Sequence, residues 1–207
     1  MDVPVIVAVV LAIGVGVISP GPTFIVVART ALASSPRLGR IAAAGVGTAS
    51  LAFAVLATAG VSAVLAYVDW LFVLLKVAGG AYLVVLGVRL WRSHGSTAMG
   101  GGVEGGRRAY ISGLLTQLSN PKTIVIYGSV FVTLLPPHVS VGTLIALPIA
   151  TTTVEVLWYG VVATVLSRPR PQGLYLRWSR TIDRVAGSFL GALGAWFAVD
   201  GIRQALR

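Results

Sequence analysis

The stretch Ile18-Ser19-Pro20-Gly21-Pro22-Thr23 interrupts an apolar run over residues 3–27, and Leu118-Ser119-Asn120-Pro121-Lys122-Thr123 interrupts another over residues 111–135. Each run has the 18 or more apolar residues that a helix needs to cross a bilayer. A proline inside such a helix removes a backbone donor and clashes with the preceding turn, and glycine adds freedom to bend. Both helices are therefore predicted to break. Counted at about 1.5 Å per residue, Pro20 lies roughly 14 Å in from Arg29 and Asn120 roughly 18 Å in from Arg108, close to the middle of a core about 30 Å thick. Past each break a second half-helix starts with unpaired N–H groups and the positive end of its dipole. Pro22 and Pro121 suit the first helical position, with Ser19, Ser119 or Asn120 as caps.

The rest of the chain agrees with a bilayer setting. Its 207 residues are 56% hydrophobic and 11% charged, with a mean hydropathy of +0.89, against roughly 45–50% apolar and about 25% charged for a soluble domain. Four further apolar stretches, residues 41–66, 71–90, 143–166 and 185–202, bring the predicted spans to six and leave no room for a sizeable soluble domain. Ala31-Leu32-Ala33 has the small-x-small form of a signal cleavage site, but Asp2 stands where a positive n-region belongs and Arg29 interrupts the apolar run. The first span is thus predicted to be an uncleaved helix. With no Cys, and with His94 and His138 alone, disulfides, thiol chemistry and a metal site lose their residues; no cofactor is expected.

A net charge of +10 raises nucleic-acid binding as a possibility, until the cations are placed. Arg29, Arg37 and Arg40 fall in the first connection, Arg89, Arg92, Arg107 and Arg108 in the third, and Arg168, Arg170, Arg177, Arg180 and Arg184 in the fifth, together 12 of the 16 Lys and Arg. Residues 67–70 and 136–142, the alternate connections, hold none. Because cytoplasmic loops accumulate cations, this alternation orients the chain with both termini outside, and no nucleic-acid partner is expected. Trp70 and Trp91 bracket the third span as interfacial anchors.

Residues 93–106 are low in apolar content and include Gly100-Gly101-Gly102 and Gly105-Gly106, so they read as a flexible linker. The predicted organisation is a first three-helix repeat over 1–92, a Gly-rich cytoplasmic linker over 93–109 and a second three-helix repeat over 110–207. The Ser-x-x-x-Thr frame around proline recurs across it, and Lys76-Val77-Ala78-Gly79-Gly80 matches Arg184-Val185-Ala186-Gly187-Ser188 in the same order. Three spans per half make the second half cross in the opposite sense, which gives a 3+3 inverted repeat suited to alternating access. The fold class expected is an all-α integral membrane protein of six transmembrane helices, with the first and fourth broken.

Two positive helix ends then meet the centre from opposite sides, a receptor for a carboxylate, with the Lys122 ammonium beside one of them. The predicted binding residues are Ser19, Pro20, Gly21, Pro22, Thr23, Gln117, Ser119, Asn120, Pro121, Lys122 and Thr123. Lys76, Lys122 and Glu155 lie within hydrocarbon, where each costs roughly 2.5–3.5 kcal/mol on insertion scales and needs a partner or water. Lys76 is near enough to its span's end to snorkel. Glu155 sits midway along the fifth span and is the candidate proton carrier, pairing with Lys122 in one state and protonated in another. Gly79, Gly80, Gly187 and Gly191 read as close helix-packing positions.

Pro20-Gly21-Pro22, Gly45-Val46-Gly47, Lys76-Val77-Ala78-Gly79-Gly80-Ala81-Tyr82-Leu83 and Asn120-Pro121-Lys122, taken together, resemble the LysE/RhtB family of amino-acid exporters over nearly the whole chain. Two residues depart from the pattern. Thr23 stands where many members have Asn, and Gly80 adds a glycine to the third-span motif. The resemblance implies efflux of amino acids or similar small metabolites across the bacterial inner membrane in exchange for protons. A passive channel for small polar solutes is the alternative, because paired half-helices also line pores. An intramembrane enzyme has no support, since no Ser/His pair or second catalytic carboxylate falls within the predicted spans. Basic and neutral substrates both remain open, with a lean to neutral zwitterions, and a homo-oligomer is left open.

Overall fold

A computed structural model of the chain describes residues 2–67, 69–92, 105–136, 139–165 and 168–205. Among them the secondary structure is helical: α1 (Val3–Ile18), α2 (Pro22–Ala33), α3 (Pro36–Tyr67), α4 (Asp69–Arg92), α5 (Gly106–Leu118), α6 (Pro121–Leu134), α7 (Val141–Thr164) and α8 (Pro169–Ala205). Residues 93–104 of the expected linker, with His94, and His138 lie outside the described residues, while residues 106–109, read from sequence as the end of the linker, form the start of α5.

Both breaks fall at the predicted prolines. α1 stops where Ser19 turns extended, Gly21 is extended as well, and α2 restarts at Pro22, bent 59° from α1. In the other run Ser119 and Asn120 leave the helix, and α6 restarts at Pro121 with the Asn120 side chain accepting from Lys122 N–H at 3.1 Å. Asn120 is thus the working cap of the candidates named from sequence. At the first break no side chain caps α2, and Gly21 takes the N-cap position. Each broken pair is followed by two long helices.

Three uninterrupted helical stretches among the described residues, Pro36–Gly60, Val141–Thr164 and Arg177–Arg203, are long and apolar enough to cross a membrane, and the α1–α2 pair makes a fourth if counted as one span. The last one corrects the sequence reading, which starts that span at residue 185. The helix begins at Pro169, so part of the basic fifth connection is helical and turns its arginines outward.

The polarity of the molecule is that of a body immersed in lipid. Leu56, Val141, Ile145, Leu157, Val185 and Trp196 are each at least 60% exposed, while Ser19, Thr23, Ser50, Gln117, Glu155 and Asp183 are buried. In water such a surface would be a large apolar liability; in hydrocarbon it costs nothing, and polar groups are driven to the interior instead. The chain is a multi-pass membrane protein.

Close approach between helices depends on glycine. A Cβ on Gly80 would lie 2.7 Å from the Gly194 carbonyl oxygen, and one on Gly87 2.5 Å from that of Gly187, so α4 and α8 pack backbone on backbone. A Cβ on Gly79 would lie 3.3 Å from Ser129 Cα of α6, whereas nothing stands within 4 Å of one on Gly191, which offers only its backbone to Gly87. A methyl group on Gly45 of α3 would collide with the Tyr110 carbonyl, and one on Gly113 of α5 with that of Ala42. These contacts draw α3 and α5 together beside the second break, which is what brings Ser50 within reach of Gln117.

Candidate functional site

The two breaks meet in the interior. Thr23, in the first turn of α2, donates its hydroxyl to Gln117 Oε1 at 2.7 Å and accepts from Asn120 Nδ2 at 2.9 Å. Thr123 of α6 also donates to Gln117 Oε1, at 3.2 Å. The Gln117 amide nitrogen donates to Ser50 Oγ at 2.9 Å and to Glu155 Oε2 at 2.8 Å. Ser50 donates in turn to the same carboxylate oxygen, and the Tyr127 hydroxyl reaches Glu155 Oε1 at 3.1 Å. One continuous network therefore joins α2, α3, α5, α6 and α7, and Gln117 and Glu155 at its centre are each 1% exposed. Buried polar groups must be paired in this way, more so where no water stands by.

A second set of contacts spans the first break. Lys122 Nζ donates to the Ser19 carbonyl at 2.9 Å, and Ser19 Oγ donates to Asp183 Oδ1 at 2.5 Å. Asp183, on α8, is 1% exposed. The lysine lies along the break beside Gly21, where a Cβ would meet Lys122 Cδ at 3.8 Å and its Nζ at 3.9 Å, ordinary contact distances. Asp183 and Glu155 are the carboxylates whose fields act on Lys122.

Between these groups lies a cavity of about 20 Å³, walled by Ile13, Gly16 and Val17 of α1, by Ser19, Gly21 and Thr23, and by Gln117, Asn120, Lys122, Thr123, Ile126, Tyr127, Glu155 and Tyr159. That is room for about one water. An amino acid does not fit until the helices part. Among the described residues no group of three or more His, Cys, Asp or Glu is placed to hold a metal ion.

Of the residues named from sequence, the structure brings Ser19, Gly21, Thr23, Gln117, Asn120, Lys122, Thr123 and Glu155 to this cavity. Ser119 is exposed and its hydroxyl returns to the Leu115 carbonyl at 2.7 Å, so it takes no part in the cluster. Pro22 is exposed and Pro20 half-buried; they shape the break, and Pro121 starts α6. Glu155 is not bonded to Lys122 in this conformation: its oxygens are held by Ser50, Gln117 and Tyr127, and the lysine is held by Ser19. The Lys76 side chain lies outside the described residues.

Sequence reading missed Ser50, Tyr127 and Asp183. Ser50 and Tyr127 are uncharged residues within apolar runs and carry no local signal. Asp183 is hidden between Arg180 and Arg184, in a stretch read as a basic connection. A helical reading of it would have set Ser179, Asp183, Ala186 and Leu190 on one face, and all four are buried.

A protein-family model described as LysE type translocator matches residues 14–201. The chain is similar to the threonine efflux protein of Escherichia coli (strain K12), 32% identical over 188 residues that cover 87% of this chain and 90% of that protein. It is also similar to the leucine efflux protein of Enterobacter sp. (strain 638), 28% identical over 88% of this chain and 87% of that protein. A third relative, 26% identical over 95% of this chain and 92% of its own length, is described as an uncharacterized membrane protein of Escherichia coli (strain K12). No solved structure matches the chain.

Proposed function

The chain belongs to the LysE type translocator family, whose members are transporters rather than enzymes, and we propose that it is a secondary active exporter of amino acids or related small metabolites, exchanging them for protons by alternating access. The observation that carries this reading is the placing of Lys122 and Glu155 on one buried cavity where two broken helices meet. The names of the threonine and leucine efflux relatives support an amino-acid substrate.

In this reading the substrate carboxylate takes the Lys122 ammonium and the positive end of the α2 dipole, both of which favour an anion. The substrate ammonium goes to Glu155. A proton on Glu155 removes the charge that holds that ammonium, so proton and substrate exclude one another, as exchange requires. Ser50 and Tyr127 suit a group that changes protonation, because a hydroxyl donates to a carboxylate and accepts from a carboxylic acid. Thr23, Asn120, Gln117 and Thr123 complete the binding wall.

The architecture proposed with it is six spans in two inverted halves, residues 1–92 and 110–207, joined by the linker over 93–109. The order of a broken pair followed by two long helices, repeated after residue 105, supports this division. The alternation of basic connections supports both termini outside, in a bacterial inner membrane.

Purified protein in liposomes tests the proposal. Labelled threonine, leucine and lysine are offered under an imposed pH gradient. Accumulation driven by the gradient is expected for a neutral amino acid, with flux that only dissipates the solute gradient marking a passive channel. Glu155→Gln removes the charge that holds the substrate ammonium and is expected to lose pH-driven accumulation; unchanged pH-driven accumulation in that variant refutes the proton role.

A further inference from the structure

Asp183 does not line the cavity, yet it is a buried carboxylate within a membrane-embedded helix, where such a group is expensive and calls for a function. It accepts a hydrogen bond from the hydroxyl of Ser19, the residue that caps the end of α1. The carbonyl of that same residue holds Lys122. One residue thus carries two contacts in opposite directions, its side chain tied to α8 and its backbone tied to α6.

The geometry points to Asp183 as a positioning residue that latches the exporter shut. While Asp183 fixes Ser19, the Ser19 carbonyl occupies the Lys122 ammonium and the first break stays folded over a cavity with room for about one water. A ligand carboxylate competes for the same ammonium. When it takes Lys122, the Ser19 carbonyl loses its partner, and of the two contacts at Ser19 the one to Asp183 is left. Because α8 is packed backbone on backbone against α4 through Gly80, Gly87, Gly187 and Gly194, a shift at Ser19 is passed to a rigid helix pair and not absorbed by one side chain. The identity of the opening ligand rests on the exporter reading; the latch itself does not.

The chain has no cysteine, so a single Ile13→Cys change places one thiol on the cavity wall at a fully buried position. Its labelling rate by N-ethylmaleimide in membranes reports how often the centre opens, with no need for transport. Asp183→Ala and Ser19→Ala are each expected to raise that rate about tenfold, the population shift that loss of one hydrogen bond to a charged group supports. Asp183→Asn keeps an oxygen acceptor for the Ser19 hydroxyl but not the charge, and is expected to label at a rate between those of the parent and Asp183→Ala. The double variant Ser19→Ala with Asp183→Ala removes both partners, leaves no orphaned buried carboxylate, and is expected to label as fast as either single variant. Labelling at the parent rate in the double variant, or in a folded Asp183→Ala protein, overturns the latch. If the latch variants label fast but no amino acid changes the labelling of the parent, the exporter reading fails and the latch stands.

Discussion

Gln117 offers the sharpest test of the buried centre. A glutamine amide has two donor hydrogens and an oxygen with two lone pairs, and all four are engaged, with Thr23 at 2.7 Å, Thr123 at 3.2 Å, Ser50 at 2.9 Å and Glu155 at 2.8 Å. Gln117→Leu removes every one of these bonds while nearly conserving volume, so water has little room beyond the cavity already there. Gln117→Ala removes the same bonds but enlarges a polar cavity, into which waters can move and rebond the orphaned groups. Hydrogen bonds between membrane helices average about 0.6 kcal/mol, so the three bonds to neutral hydroxyls amount to about 2 kcal/mol. The bond to the Glu155 carboxylate adds about 1.5–3 kcal/mol. A loss of about 4 kcal/mol in the leucine variant corresponds to a Tm lower by roughly 8–16 °C for a chain of this size. The alanine variant is expected to lose about half as much, through rehydration. Intrinsic fluorescence of the five tryptophans during a thermal ramp in detergent gives the measurement. A leucine variant within about 2 °C of the parent, or an alanine variant less stable than the leucine one, refutes the network as a source of stability.

Glycine packing makes a contrasting pair. Gly80→Ala places a Cβ 2.7 Å from backbone atoms of α8 and is expected to cost about 1–3 kcal/mol by forcing α4 and α8 apart; Gly191→Ala meets nothing within 4 Å and is expected to melt with the parent in the same ramp. Asn120→Ala removes the cap on α6 and the bond to Thr23, a loss of about 1–2 kcal/mol that the ramp would show, and raises the concentration needed for half-maximal flux in liposomes. Lys122→Met removes the cation offered to a carboxylate and is expected to weaken substrate competition at least about tenfold; unchanged competition would count against the carboxylate role.

Legibility from sequence followed the range of the physics involved. The two breaks were readable because proline sterics and a missing N–H act within one turn, and the prolines stand in long apolar runs. Glu155 and Lys122 were readable because an ionisable group in hydrocarbon has to be accommodated wherever it points. Ser119 shows the complementary limit: proximity along the chain to Asn120 says nothing of rotation about the helix axis, and the serine faces outward to its own helix's Leu115 carbonyl. The start of the last span was misplaced because arginines in a helix look like arginines in a loop when only composition is counted.

By itself the sequence determined the solvent, the breaks at Ser19–Gly21 and Ser119–Asn120, and the kind of charge brought to mid-membrane, since each follows from local sterics or from the cost of leaving water. Only the tertiary structure decided which partners those groups take. Ser19 meets Asp183 from 164 residues away and Ser50 meets Glu155 from 105, and such pairings depend on how glycine contacts rotate and press whole helices together, a property that no single helix encodes.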